Sequence, residues 1–390
     1  MRDILHVYKD YWPVLGGIEN HVKLLAERQA AAGHAVTVLV TNTSRQTTME
    51  DRNGVRVIRA SRLATVASTP ISLELPRLLR QQRPDITHLH FPYPLGEMAQ
   101  LLLGRGRRTV ITYHSDVVRQ QAILRLYRPW MMRALRAADR VIATTPTYID
   151  SSVVLSRLRA LDSDKVVVVP FGIEQQRFRT VGYDAALRLR RRLGRGPLLL
   201  FVGVLRYYKG LSYLLSAMVD IPARLVIVGA GPEEEALRAQ ATALGLDERI
   251  HFAGRIPDED LPLYYGAADL FVLPACARSE AFGLVQVEAM ASGLPVISTE
   301  VGTGVSYVNR HDESGLVVAP RDPAALASAI NRLLTDGALR ARLAAGALAR
   351  ADLFDVERMV ADLERVYDEV LGQRRSQGKL ARQLDGRSKR

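Results

Sequence analysis

Short, almost wholly apolar runs alternate with helical patterns along this chain, and the alternation occurs twice. In the first half DILHVY, AVTVLVT, GVRVIRA, ITHLHF, RTVITYH, RVIATT and KVVVVP read as strands, with helical patterns between them that include residues 17–32 and 117–138. After PFGIEQQRFR the pattern restarts with LLLFVGVL, RLVIVGAG, RIHFAG, LFVLPA, PVISTE and GLVVAP. Strands that are apolar on both faces and alternate with helices belong to parallel sheets covered on both sides. The expected fold class is therefore α/β, with two doubly wound, Rossmann-like domains over residues 1–180 and 181–351. Ligands bind such sheets outside the carboxyl ends of the strands. Two domains facing across a cleft would place both ligand sites in it. An amphipathic helix over residues 352–372 is expected to pack back on the first domain. Residues 373–390 hold almost no apolar side chains and are expected to form a disordered basic tail.

Hydrophobic residues make up 48% of the 390 and charged residues 24%, which fits a soluble globular enzyme rather than a disordered chain. The single cysteine, Cys276, excludes an internal disulfide framework and suits a reducing compartment. MRDILHVYKD alternates like a strand and does not resemble a signal peptide, and the apolar runs are too short to span a bilayer. A cytoplasmic protein is expected, either free or peripheral on the cytosolic face of the membrane. The net charge of +12 is uneven: residues 1–180 carry 26 basic against 15 acidic side chains, and residues 181–372 carry 20 against 25. Only the first domain has the sign to meet an anionic surface.

The stretch RSEAFGLVQVEAMASG places Glu288 four residues after Leu284, close to the apolar face of a helix. A buried carboxylate needs donors or becomes protonated. Eight residues earlier stands Glu280, just before the turn AFG. If this turn opens a helix, the amides of Phe282, Gly283 and Leu284 offer positive partial charge to an anion. The two glutamates could then accept hydroxyl protons on either side of it, a layout that fits a nucleotide sugar. An internal salt bridge with an arginine is the competing reading. In FVGVLRYYKG, Arg206 and Lys209 follow a strand that ends in glycine. Two cations there suit a diphosphate, or are ordinary surface charges. VIVGAGPEEE lacks the third glycine of a dinucleotide fingerprint and reads as a tight strand-to-helix turn.

EAFGLVQVE, two glutamates separated by seven residues, resembles the signature of retaining glycosyltransferases of the GT-B architecture, a family rich in mannosyl- and glucosyltransferases. The resemblance runs nearly the full length. GGIENHVKLLAERQAAAGHAVTVLVT is similar to that family's first glycine loop and helix, TYHSD to its histidine segment, PFGIEQQRF to its interdomain crossing and VGVLRYYKG to its phosphate-gripping loop. The resemblance implies that Gly16 and Gly17 let the first loop approach donor phosphates and acceptor. It implies that His114 contacts the sugar near the anomeric centre and that Arg206 and Lys209 neutralise the leaving diphosphate. Glu280 would hold sugar hydroxyls and Glu288 the ribose. Where the family often carries arginine directly after the loop glycine, this chain has Val204. The implied chemistry is a front-face displacement in which the departing phosphate takes the acceptor proton. Loss of either glutamate would cost about 1.5–3 kcal/mol, roughly ten- to a hundredfold in rate.

VLRYYKG, YHSDVVRQ and EVGTGVSYVN are similar to members that build cell-surface polysaccharide such as lipopolysaccharide, which implies GDP-mannose or a related donor and a glycan or lipid-linked acceptor. A UDP-sugar donor is the alternative, and the nucleotide sugar is a substrate, so no cofactor is expected. No metal is expected either: His88 and His90 share one strand face without a third ligand at zinc-like spacing. Asp258–Asp260 reads as helix N-cap chemistry. Arg119, Arg125, Arg128, Arg133 and Arg136, interleaved with Leu, Tyr, Trp and Met, describe either an interfacial helix on anionic lipid or a solvated helix with its apolar side in the core. No nucleic-acid module is evident. An NAD-dependent oxidoreductase would need the Gly-x-Gly-x-x-Gly turn that YKDYWPVLGGIEN lacks. A non-catalytic carbohydrate-binding protein would have no use for paired glutamates and Lys209 around one anion site.

Overall fold

The computed structural model describes residues 1–14, 16–66, 69–117 and 121–385, with the side chains of 121–124 and 373–385 left aside. The chain divides into two compact units, residues 1–170 with 359–390, and residues 171–358.

In the first unit the strands are β1 (Asp3–Val7), β2 (Ala35–Thr41), β3 (Thr48–Arg52), β4 (Val55–Ala60), β5 (Ala64–Val66), β6 (Thr69–Ile71), β7 (Ile86–Phe91), β8 (Arg108–Tyr113), β9 (Arg140–Ala143) and β10 (Val166–Val168). Eight of them form one sheet in the order β10-β9-β8-β7-β1-β2-β4-β3, while β5 and β6 pair separately. Every neighbour in the large sheet is parallel except β3, which runs antiparallel to β4. β7 is buried along its whole length, as a central strand covered on both faces must be. The strand order reverses between β1 and β7. Loops leaving the carboxyl ends of those two strands therefore splay apart and open a crevice.

The second unit holds β11 (Leu198–Val202), β12 (Arg224–Val228), β13 (Ile250–Gly254), β14 (Leu270–Leu273), β15 (Val296–Thr299) and β16 (Gly315–Val318). Their order, β13-β12-β11-β14-β15-β16, is parallel throughout. Here the order reverses between β11 and β14. β11 and β14 are fully buried, which explains why LLLFV and LFVL carry no polar residue.

The boundaries differ from the expectation at three points. The first unit ends at Pro170 rather than at residue 180. Ile173 forms a parallel bridge with Asp355, so the crossing segment is tied into the second unit. The second unit accordingly extends to Arg358, beyond residue 351. The last helix, Val356–Asp385, joins the first unit from Met359 onward and continues where a disordered tail was expected. Its Gln, Arg, Lys, Leu and Ala residues are good helix formers, and a helical backbone needs no apolar side chains to close its own hydrogen bonds. Residues 386–390 lie outside the described residues.

Candidate active site

Lys209 and Glu280 come from the loops after β11 and β14, the two strands on either side of the reversal in the second unit. Lys209 Nζ lies 2.5 Å from Glu280 Oε2, and each side chain is only 10% exposed. Burial, the largest single influence, lowers the lysine's pKa, but the charge and hydrogen bond of Glu280 together with the Tyr208 and Glu288 charges outweigh it, and the pKa is raised overall. Lys209 is therefore a fixed buried cation. Glu288, on the helix Leu284–Ala291, also raises the pKa of Lys209 through its charge, so the three side chains share one electrostatic neighbourhood. Arg206 is exposed on the same loop and stays outside the buried pair.

Glu288 is half-buried, and its Oε2 accepts a 2.6 Å hydrogen bond from the Tyr265 hydroxyl. Burial raises its pKa, opposed by the Tyr265 bond and the Arg177 charge. The internal partners thus differ from the arginine that spacing had suggested: Glu280 pairs with Lys209, and Glu288 with a tyrosine. Nothing in the spacing connects residues 265 and 288, so Tyr265 carries no signal in the sequence.

The helix Leu284–Ala291 opens at Gly283, whose φ of +75° is left-handed, and no side chain caps it. A Cβ at Gly283 would stand 2.8 Å from Leu273 Cδ2, so both backbone and space require glycine. In the first turn the Gln286 N–H bonds back to the Gly283 carbonyl at 2.9 Å, while the amides of Leu284 and Val285 precede any intrahelical acceptor and carry the positive end of the helix dipole. Phe282 is buried, with its ring against Phe171 at 5.3 Å and Phe354 at 5.7 Å. Its side chain anchors the turn and leaves only its backbone for a ligand. The glycines of VIVGAG have a packing role: a Cβ at Gly229 would lie 2.0 Å from Gly203 O, and one at Gly231 2.4 Å from Leu205 O.

In the first unit His114 follows β8 directly and is buried. Gly16 is the N-cap of the helix Gly17–Ala31, with extended backbone. The carboxylate of Glu19 occupies the space beside it, 2.1 Å from where a Cβ would sit. Glu19 was not singled out from the sequence, although GGIE places it in the helix's first turn. The fold also supplies what spacing could not for His88 and His90. It forms two buried triads, His6 with His88 and His90, and His21 with His90 and His114, each with ligand atoms within 4.8 Å of one another. Their proximity depends on β1, β7 and β8 being neighbours. In the pair Asp258–Asp260, Asp260 occupies the N-cap of Leu261–Ala267, but its side chain accepts no helix amide.

The family model described as glycosyl transferases group 1 matches residues 189–350, and that described as glycosyltransferase family 4 matches residues 15–177. The D-rhamnosyltransferase WbpZ of Pseudomonas aeruginosa is 39% identical over 333 residues, which span 85% of this chain and 86% of that protein. The O-antigen chain mannosyltransferase C of Escherichia coli is 36% identical over 374 residues, 94% of this chain and 98% of that one. The chain belongs to the group 1 glycosyltransferases.

Among solved structures, the sucrose-phosphate synthase of Thermosynechococcus elongatus superposes with a TM-score of 0.77 at 26% identity, covering 95% of this chain and 99% of that one. The Anabaena HepE complex with UDP-glucose gives 0.76 at 21% identity over 95% of this chain and 100% of that one, a likeness of fold. The enzyme is thus a GT-B glycosyltransferase with two Rossmann-like domains.

The glycosyltransferase's basic helix is Gln121–Ala137. Met131, Ala134 and Leu135 are buried, whereas Leu126 is 82% and Trp130 41% exposed among the exposed Arg125, Arg128, Arg133 and Arg136. Arg119 lies outside the described residues. No described helix is long and apolar enough to cross a membrane.

Proposed function

We propose that this glycosyltransferase moves a hexose, mannose or a close relative, from a GDP-linked donor to a glycan or lipid-linked acceptor in cell-surface polysaccharide synthesis, with retention of anomeric configuration. The buried Lys209 beside two carboxylates and an uncapped helix start carries this reading. The lysine and the first-turn amides neutralise the diphosphate, Glu280 holds sugar hydroxyls and Glu288 the ribose diol. Gly16 and Gly17 admit phosphate and acceptor to the first loop, and His114 contacts the sugar. Arg206 is exposed enough to swing toward the phosphates. The anomeric C–O bond to phosphate breaks as the acceptor oxygen bonds on the same face. The acceptor proton passes to the leaving diphosphate. Positioning and charge stabilisation then supply most of the acceleration. The mannose-like sugar rests on the rhamnosyl- and mannosyltransferase names of the relatives and the GDP link on the resemblance of VLRYYKG, YHSDVVRQ and EVGTGVSYVN to polysaccharide-building members; a UDP sugar is the alternative. Incubation with GDP-mannose and UDP-glucose beside lipid-linked glycan acceptors, with NMR of the product, tests this. An α-linked product from the α-linked GDP sugar is expected; a β-linked product would refute retention.

The outward Leu126 and Trp130 among four arginines support a peripheral contact with anionic lipid, each cation near the surface adding about 1 kcal/mol. Vesicles containing phosphatidylglycerol should retain the enzyme at low salt and lose it for Leu126→Glu/Trp130→Glu. Equal retention of both proteins would remove this surface from the account.

A further inference from the structure

Behind His114 the first unit buries a row of polar side chains that the transfer chemistry above does not use. His6 Nε2 lies 2.7 Å from Gln29 Oε1, His6 Nδ1 lies 3.1 Å from His90 Nε2, and His90 Nδ1 lies 3.0 Å from His114 Nε2. His6, Gln29 and His90 are fully buried, and His114 is 3% exposed. At the far end, Gln29 Nε2 donates to Glu364 Oε1 at 3.3 Å. Glu364 is held by an ion pair to Arg2. His88 stands beside this row but is engaged elsewhere, by the Tyr367 hydroxyl at 2.6 Å and the Thr112 hydroxyl at 2.7 Å.

The direction of the row follows from its end. A carboxylate only accepts, so the Gln29 amide nitrogen faces Glu364 and its oxygen faces His6. Burial lowers the pKa of His6 to about 4 and those of His90 and His114 well below the usual imidazole value. Each ring is therefore neutral and carries one N–H. His6 must donate from Nε2 to Gln29, which leaves its Nδ1 to accept from His90. His90 in turn must accept at Nδ1 from His114.

We infer that Glu364, Gln29, His6 and His90 are positioning residues that fix His114 as its Nε2–H tautomer, so that its Nδ1 carries the lone pair and can only accept a hydrogen bond. Resting on the proposed role of His114 toward the sugar, this makes the histidine an acceptor of a substrate hydroxyl proton rather than a donor. It also ties the last helix, which carries Glu364, to a residue of the candidate site. The wrong tautomer would set N–H against O–H and leave both groups unpaired, a loss of about tenfold or more.

Long-range proton–nitrogen correlation NMR on the full chain with 15N-labelled histidine reads the tautomer directly. His114→Gln and His90→Gln spectra serve for assignment. The wild type should show a protonated Nε2 and a bare Nδ1 for His114. Gln29→Met removes the acceptor that sets the direction; it should mix the tautomers and lower kcat/KM at least tenfold while leaving nucleotide affinity unchanged. A His114 with protonated Nδ1 in the wild type would overturn the inference. So would stoichiometric zinc, found by metal analysis of the protein as purified and bound at these imidazoles. If Gln29→Met does not fold, Glu364→Leu supplies the same comparison. An enzyme that transfers no sugar would leave the tautomer result standing while refuting the function above, so the two failures are separable.

Discussion

Lys209→Ala is expected to lose transfer by at least a hundredfold and folding stability by about 3–5 kcal/mol. The first number is that of one preorganised donor removed from developing negative charge. The second is the cost of leaving the partner of a buried ion pair uncompensated, here Glu280 at 10% side-chain exposure. The double variant Lys209→Met/Glu280→Leu separates the two effects. An apolar pair of similar volume often matches a buried ion pair in stability, so denaturant unfolding should recover most of the loss while activity stays absent. Recovery of activity with stability would show that Lys209 serves the fold alone.

Glu97→Gln is expected to stabilise the enzyme in a pH-dependent way. Glu97 is buried in the helix Pro94–Leu103, where burial raises its pKa to about 8 against the single opposing hydrogen bond from the Tyr93 N–H. Its Oε2 has no hydrogen-bond partner among the described residues. Between about pH 4.5 and 8 the unfolded chain has released this proton and the folded chain retains it. Stability therefore falls as pH rises through that window and levels off above it. At about 1.4 kcal/mol per pKa unit, the variant's advantage over wild type should grow from near zero at pH 4 to on the order of 5 kcal/mol at pH 8.5. Glutamine keeps the acceptor for Tyr93 and removes the titration. Parallel stability curves for the two proteins across this range would show that Glu97 does not titrate there.

The central parallel strands were legible because β7, β11, β14 and β15 are buried along their whole length, and an uninterrupted apolar run is what such burial demands. β3 was not. Its residues, TMEDR, are almost fully exposed on an antiparallel edge and carry no apolar pattern. The boundary between the domains was set at residue 180 rather than at Pro170 because the bridge of Ile173 to Asp355, which ties the crossing segment to the second unit, joins positions far apart in sequence. In the candidate site, Lys209, Glu280 and Glu288 stand out by their local settings, a cation after a strand-end glycine and carboxylates around a glycine turn. That Lys209 and Glu280 pair with each other does not, since it follows from β11 lying beside β14. The histidine row was invisible for the same reason. His6, His90 and His114 stand on or just after three strands whose order in the sheet, not in the chain, makes them neighbours.

Calorimetric titration of the full chain with GDP and with UDP, repeated on Glu288→Ala, tests the donor site most directly. Saturable GDP binding, weaker UDP binding and a ten- to hundredfold loss of GDP affinity in the variant are expected, because the ribose hydroxyls lose a charged acceptor. Unchanged affinity in Glu288→Ala, or no binding of either nucleotide, would contradict a nucleotide-sugar site built around Lys209, Glu280 and the Leu284–Ala291 helix.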